Sequence, residues 1–181
     1  MGATTIAGMH VNRANPVGRS NRSEMRKRLV TPTPNDRAAF ASGTLDVAHL
    51  ASVEITSEDP AHPIESALQS GERRGWRAAD PGPQIIRLLF DQPQKLSRIG
   101  LVFEETETQR TQEFVLTWSA DHGHSFREIV RQQWNFSPPA TVLEREDYTV
   151  DLRNVSVLEL RISPDQSGGG AYASLASLRL A

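Results

Sequence analysis

The sequence predicts an all-β protein, an antiparallel β-sandwich of about eight strands with a flexible basic N-terminal arm. From residue 40 onward, apolar residues recur mainly with a period of two, as in strands with one buried face. Pro, Gly, Asn and Asp separate these short segments, and very little of the chain has the period of a helix. Short strands joined by turns at this spacing favour a β-sandwich over an α/β fold.

Residues 1–37 differ from the rest of the chain in composition and charge. They include seven basic and two acidic residues, a net charge of +5, whereas the remaining residues carry a net charge of −7. This segment has few large apolar residues and cannot build a core of its own. We therefore predict a flexible arm over residues 1–37 and a folded domain over residues 38–181. The arm is either a solvated tail or a segment that orders on a partner, either an acidic surface or a nucleic acid.

The first strand is expected where Val53 and Ile55 alternate with polar residues, and one helical turn is expected within residues 62–69. Trp76 has no adjacent apolar neighbour and lies before a Pro/Gly turn and a run rich in Ile and Leu. Because tryptophan is mostly buried in folded proteins, we expect Trp76 to be a buried anchor at one end of the sandwich, just ahead of a strand.

Seven further strands are predicted from alternating apolar residues. They are expected at residues 86–90, 99–103, 114–118, 126–130, 141–152, 158–162 and 175–180. Residues 91–94 are expected to reverse the chain between two antiparallel strands, and residues 120–124 to form a tight turn. A polar, charged loop is expected at residues 104–111, and a glycine-rich loop at residues 164–170.

Several short segments occur in an order that is typical of one protein family. They are VEITS (53–57), SG (70–71), GW (75–76), RLLFD (87–91), RI (98–99), FVLTWSADHGHSF (114–126), LRI (160–162) and ASLASLRL (173–180). From about residue 49 to residue 181 the chain resembles the discoidin or coagulation factor 5/8 type C family. The resemblance implies a galactose-binding-like jelly roll, a fold that includes many carbohydrate-binding modules, and a non-catalytic domain with its ligand loops at one end. A fold alone does not identify the ligand.

The resemblance also implies where a structural calcium ion would lie. Family members that hold calcium have an Asp-Gly pair before the tryptophan and a Glu in the last strand, whereas this chain has Ser70-Gly71 and Ser177 there. Calcium prefers several oxygen ligands that include carboxylates, so we expect no bound calcium. His122 and His124 have no third ligand nearby, and a tight turn explains them better than a metal site. We expect no other metal and no cofactor.

A sugar site needs an aromatic ring against the C–H face of the sugar and polar groups for its hydroxyls, on loops held by a rigid scaffold. The candidate ligand-binding residues are His62, Glu65, Arg110, Trp134, Asn135 and Tyr172. Tyr172 lies where the resembling modules often carry a stacking aromatic. The alternative for Trp134 and Tyr172 is a half-buried loop plug, and the alternative for His62, Glu65 and Arg110 is a solvated loop residue.

Composition and motifs exclude several classes of function. The chain has no cysteine, which excludes disulfides, thiol catalysis and zinc sites built on thiolates. It shows neither a signal-peptide pattern nor an apolar stretch of membrane-spanning length, so we expect a cytoplasmic protein that does not bind membranes. No nucleophile elbow, zinc-protease motif or phosphate-binding loop is present, and we predict that the protein is not an enzyme.

Three functions remain, in decreasing order of preference. The first is that of a carbohydrate-binding module. The second is that of a protein-protein interaction or assembly subunit that uses the basic arm. The third is nucleic-acid binding, since residues 76–79 and the following strand also resemble the N-terminal domain of a mammalian single-strand-break repair scaffold. The negative charge of the domain opposes a polyanion, so we expect a glycan or protein partner and not a nucleic acid.

Overall fold

The computed structural model describes residues 43–69 and 74–181, and most of their regular structure is β-strand. The elements in chain order are α1 (Val47–Leu50), β1 (Ala51–Ile55), α2 (Glu65–Leu68), β2 (Trp76–Pro81), β3 (Gln84–Glu104), β4 (Arg110–Ser119), β5 (Arg127–Phe136), β6 (Leu143–Ser163), β7 (Tyr172–Leu175) and β8 (Ser177–Leu180). The predicted all-β antiparallel sandwich is confirmed, and the predicted helical turn is α2.

All strand pairs between these elements are antiparallel. The larger sheet has the order β1-β3-β6-β4-β5, with β8 also pairing with β3, and β2 pairs with β7 in a separate ribbon. Strands β3 and β6 have 21 residues each because each contributes to both layers of the sandwich. The first half of β3 pairs with β1 and the end of β6, while its second half pairs with β8 and the beginning of β6.

The predicted chain reversal at residues 91–94 is wrong. Residues 86–90 and 99–103 do not pair with each other, since they are two parts of β3 that pair with different parts of β6. The register shifts three times between these two parts, and Pro93 is exposed. Bulges bend a strand without ending it, and a proline is tolerated there because no ladder partner needs its N–H. The Asp-Gln-Pro-Gln sequence therefore carries the chain from one layer to the other.

Strand β6 likewise unites two segments that were predicted as separate strands, residues 141–152 and 158–162. Asn154 has a φ of 59°, and the neighbouring Val155 pairs with Gln94 in the irregular part of β3. Asparagine adopts this left-handed conformation more readily than most residues, so β6 bends without a loop. The two long strands thus bend side by side.

The core lies between the two layers, and many of the residues predicted to share strand faces are buried there. They are Ile86, Leu88, Phe90, Ile99, Leu101, Phe103, Leu158, Leu160, Ile162, Leu175, Leu178 and Leu180. The rings of Phe103 in β3 and Phe114 in β4 stack with their centroids 5.0 Å apart. These two residues are not strand partners, so their contact packs one layer onto the other.

Trp76 is 1% exposed, which confirms its predicted burial, although it is the first residue of strand β2 and not a plug ahead of a strand. It pairs with Leu175 of β7. Gly75 has a φ of 64°, and a Cβ atom there would lie 2.7 Å from the carbonyl oxygen of Leu175. Glycine is required at this close approach, so the Gly-Trp pair is explained by the packing of β2 against β7.

Some predictions concern residues outside the part of the chain described above. The basic arm over residues 1–37, the start of the domain at residue 38 and the end of the helical turn at Ser70-Gly71 lie there and stay predictions. The described residues belong to one compact unit, Pro34–Ala181. None of the helices among these residues has the length and apolar character needed to cross a membrane.

Candidate functional site

A cleft of about 620 Å³ opens where the β3–β4 loop and the β6–β7 loop meet the β2–β7 ribbon. One side is formed by the ribbon and the residues next to it, the opposite side by residues 104–108, and the third by the glycine-rich loop. The charged and aromatic residues that line the cleft include His62, Arg74, Arg77, Glu104, Glu105, Glu107, Arg110, Asp165 and Tyr172. A ligand site on loops at one end of the sandwich stays a prediction, and two loops contribute to this cleft.

Arg110 holds two sides of the cleft together. Its Nη1 donates a hydrogen bond to the backbone oxygen of Tyr172 at 2.9 Å, and its Nη2 forms an ion pair with Glu105 Oε2 at 3.1 Å. Burial lowers the pKa of Arg110, while the nearby Glu105 acts in the opposite direction. The expectation of a polar-loop residue is corrected here, because β4 begins at Arg110 and its side chain is 3% exposed. It can position the loops but has little surface to offer a ligand.

The carboxylates of Glu105 and Asp165 shape the two loops. Glu105 Oε1 accepts hydrogen bonds from the backbone N–H groups of Glu107 and Thr108 at 2.8 and 3.0 Å. Asp165 Oδ1 accepts from the N–H and the hydroxyl of Ser167 at 2.9 and 2.7 Å. The Ser167 hydrogen bonds lower the pKa of Asp165, and the charge of Arg110 contributes further. Both carboxylates are therefore committed to turns beside the cleft.

We expect Arg110→Lys to lower the free energy of unfolding by about 1.5 kcal/mol, the contribution of one hydrogen bond that involves a charged group. Lysine keeps the positive charge but lacks the planar fork that reaches Glu105 and the Tyr172 oxygen together. Urea denaturation of both proteins measures the change. Arg127→Lys is the matched control, since Arg127 is exposed over the Trp118 ring outside the cleft. Equal effects of the two substitutions would contradict a special role for Arg110.

Tyr172 presents an aromatic ring to solvent from a fixed backbone position. Its side chain is 38% exposed, whereas the next residue, Ala173, is fully buried. The guanidinium carbon of Arg77 lies 5.2 Å from the centroid of the Tyr172 ring, within the range of a cation-π contact. Since Arg110 also holds the Tyr172 carbonyl, the ring needs little ordering when a ligand binds.

His62 is placed by contacts to β2 and by the anchoring of α2. Its backbone oxygen accepts a hydrogen bond from the Arg77 N–H at 3.1 Å, and its Nδ1 lies 3.3 Å from the Arg74 oxygen. Arg179 in β8 donates hydrogen bonds to the oxygens of Ala67 and Gln69 at 2.7 and 2.6 Å. Burial lowers the pKa of Arg179. This arginine satisfies carbonyls at the C-terminal end of α2 and so fixes the segment that follows His62.

Three of the six predicted ligand-binding residues, His62, Arg110 and Tyr172, meet at the cleft. Glu65 is exposed at the start of α2 and borders a separate depression of about 400 Å³.

Trp134 and Asn135 lie in strand β5 and not in a loop before the prolines, which corrects their predicted placement. The Trp134 ring is half-buried against the core, and the Asn135 side chain accepts a hydrogen bond from the Thr111 hydroxyl at 2.7 Å. A ligand-binding role for Glu65, Trp134 and Asn135 stays a prediction outside the cleft.

Sequence reasoning missed Arg74, Arg77, Glu105 and Asp165 as parts of the site. Arg77 was detectable in principle, because alternation along β2 buries Trp76 and Ala78 and turns Arg77 to the other face. Glu105 and Asp165 carry no such signal, since charged residues in loops are usually solvated.

The residues that can be described show no metal centre. Within residues 43–69 and 74–181, no group of three His, Asp or Glu side chains could hold a metal ion. His122 and Gly123 have φ angles of 58° and 86°, which fits the predicted tight turn. Ser70-Gly71 lies outside these ranges, and Ser177 begins β8.

Comparison with known proteins identifies the fold. No protein-family model and no curated protein sequence matches this chain. Among solved structures, the family 32 carbohydrate-binding module of Clostridium perfringens NanJ in complex with galactose is 18% identical with a TM-score of 0.54, covering 76% of this chain and 96% of that chain. CpGH89CBM32-5 from Clostridium perfringens, in complex with GalNAc-β-1,3-galactose, is 20% identical with a TM-score of 0.56. The match covers 76% of this chain and 99% of that chain.

A pectin-binding carbohydrate-binding module is 16% identical with a TM-score of 0.54, covering 72% of this chain and 89% of that chain. The fold is therefore the galactose-binding-like, discoidin-type fold of family 32 carbohydrate-binding modules, as the sequence resemblance implied. At these identities the likeness concerns the fold, and the residues of the cleft have to be judged by their own chemistry.

Proposed function

We propose that this domain is a non-catalytic carbohydrate-binding module and that the cleft beside Tyr172 is its binding site. The observation that carries the proposal is an exposed aromatic ring, fixed at its backbone by Arg110, in a cleft that also holds cationic and anionic side chains. Sugars bind such sites because their C–H faces stack on rings while their hydroxyls exchange hydrogen bonds with polar groups. The solved modules of the same fold that bind galactose or GalNAc-β-1,3-galactose support this choice of ligand class.

Each side chain has a distinct part in this proposal. The Tyr172 ring is the platform for a sugar ring, and His62, Arg74 and Arg77 provide hydrogen-bond partners for its hydroxyls. Glu104 and Glu107, both exposed on the opposite side, are acceptors for hydroxyl groups. Arg110 has little exposed surface and acts through the positions of Tyr172 and Glu105.

Replacing Tyr172 by alanine is expected to weaken glycan binding by about 2 kcal/mol, the size of an interface hot spot. The melting temperature should change little, because the ring is already partly exposed. A glycan array first selects a ligand, with galactose-containing and N-acetylgalactosamine-containing sugars included. Isothermal titration then compares wild type with Tyr172→Ala.

Trp134→Ala is the matched control, since its ring is half-buried against the core and lies outside the cleft. It is expected to lower the melting temperature and to leave the affinity nearly unchanged. The opposite pattern, in which Trp134→Ala removes binding and Tyr172→Ala does not, would contradict the assignment of the site to this cleft. If the folded protein binds no glycan on the array, the proposal is wrong and a protein partner becomes the leading alternative.

A further inference from the structure

Two arginines on the ribbon side of the cleft have no carboxylate partner among the described residues. Arg74 and Arg77 are both exposed and line the cleft, and neither takes part in the ion pairs found in residues 43–69 and 74–181. Arg77 is held in place by its contact with the Tyr172 ring. An unpaired guanidinium beside an aromatic platform is a group that an anionic ligand can use.

The carboxylates of the cleft are placed differently. Glu105 is paired with Arg110 and with two backbone N–H groups, and Asp165 is occupied by Ser167. Glu104 and Glu107 are exposed, but they belong to the opposite side, where the β3–β4 loop begins. The cleft is therefore polarised: within residues 43–69 and 74–181, guanidinium groups outside any ion pair lie on the ribbon side and exposed carboxylates outside any ion pair lie on the loop side.

We infer that the cleft selects a sugar that carries a carboxylate, that is, a uronic acid residue. This inference rests on the function proposed above and names the class of its ligand. The sugar carboxylate pairs with Arg77 and Arg74, the C–H face of the ring stacks on Tyr172, and the hydroxyls on the far side donate to Glu104 and Glu107. The polarity of the cleft sets this orientation, because the reverse one places the sugar carboxylate beside two glutamates.

A pair of ligands with the same sugar configuration and different charge tests the inference. The probes are trigalacturonic acid and its fully methyl-esterified form, which have the same sugar configuration and differ in the charge at C6. Isothermal titration with wild-type protein is expected to show about tenfold tighter binding of the acid at low salt, equivalent to about 1.4 kcal/mol. Added salt should narrow this difference, because the pairing groups are near solvent.

The variant Arg77→Gln keeps hydrogen-bonding capacity but removes the charge. It is expected to lower the affinity for the acid about tenfold more than it lowers the affinity for the ester. The matched control is Arg127→Gln, since Arg127 lies 5.5 Å from the centroid of the Trp118 ring and outside the cleft. The control should bind both probes as wild type does.

Equal binding of acid and ester by wild type would overturn the inference and leave the proposed function intact. Binding of neutral galactosides with no binding of trigalacturonic acid would do the same. An equal loss of acid binding in Arg77→Gln and Arg127→Gln would also overturn the inference, because the removal of one positive charge anywhere on the domain would then explain the loss. If the glycan array shows no binding to any sugar, acidic or neutral, the proposed function fails and this inference fails with it.

Discussion

Trp76→Ala is expected to lower the free energy of unfolding by about 3–5 kcal/mol, as large-to-small substitutions of buried aromatic residues do. Trp76 is 1% exposed and is among the largest fully buried side chains of the domain. It pairs with Leu175, and the preceding Gly75 allows β2 to approach β7 closely. The cavity left by the indole therefore lies between elements that are fixed on both sides and cannot easily collapse.

Urea denaturation followed by circular dichroism measures this change, with the slope of the transition checked for a two-state process. Trp118→Ala is the matched control, because Trp118 is only partly buried and Arg127 lies over its ring. The control should lose clearly less stability than Trp76→Ala. A loss below about 1 kcal/mol for Trp76→Ala would contradict its role as a core residue.

The sequence was sufficient to predict the strand faces of this fold. Alternation is a local signal, so the buried faces carrying Ile86, Ile99, Leu158 and Leu178 could be read without knowing which strands pair. The continuity of β3 and β6 could not be predicted in the same way. A proline with polar neighbours is compatible with both a hairpin turn and an exposed bulge, and only the pairing of each half with its partner decides between them.

The candidate site could be predicted from sequence only in part, at positions where the residue type and its immediate neighbours indicate a role in binding. Tyr172 follows a glycine-rich loop, and its exposure agrees with a ring available for stacking. The burial of Arg110 was not predictable, because the Tyr172 oxygen that it binds is 62 residues away in sequence. Pro138 and Pro139 closely follow Trp134 and favour a loop there, yet β5 continues through Phe136 before them. Local sequence patterns can indicate that a segment is a loop, but they do not show which distant residues that loop contacts.

The second large effect concerns a buried carboxylate in the sandwich. Glu144 is 1% exposed and lies beside Phe103 in the strand register. The Gln132 amide nitrogen donates a hydrogen bond to Glu146 Oε1 at 2.6 Å and lies 3.4 Å from Glu144 Oε1, while Tyr148 donates to the Gln132 oxygen at 2.8 Å. Glu144 Oε2 has no hydrogen-bond partner among the described residues. Burial, and to a lesser degree the charge of Glu146, raises the pKa of Glu144 to about 7.

The direction of the pH dependence follows from this raised pKa. The folded protein holds the Glu144 proton more tightly than the unfolded chain, in which the carboxyl titrates near its ordinary value of 4.5. The contribution of Glu144 to stability is therefore most favourable below about pH 4.5, decreases as the pH rises toward about 7, and is constant above that. At roughly 1.4 kcal/mol for each pKa unit, a rise from 4.5 to about 7 gives a decrease on the order of 3 kcal/mol.

Glu144→Gln should remove this decrease, because an amide is neutral at every pH and nearly the same size as the protonated acid. We expect the variant to be about 3 kcal/mol more stable than wild type at pH 8 and within about 1 kcal/mol of it at pH 5. Comparing the two proteins at each pH by urea denaturation cancels the titration of all other groups. The control is Glu107→Gln, which should change the free energy of unfolding little, because the Glu107 side chain is exposed. A Glu144→Gln difference that is the same at pH 5 and pH 8 would show that the Glu144 carboxyl does not titrate in this range and would contradict its raised pKa.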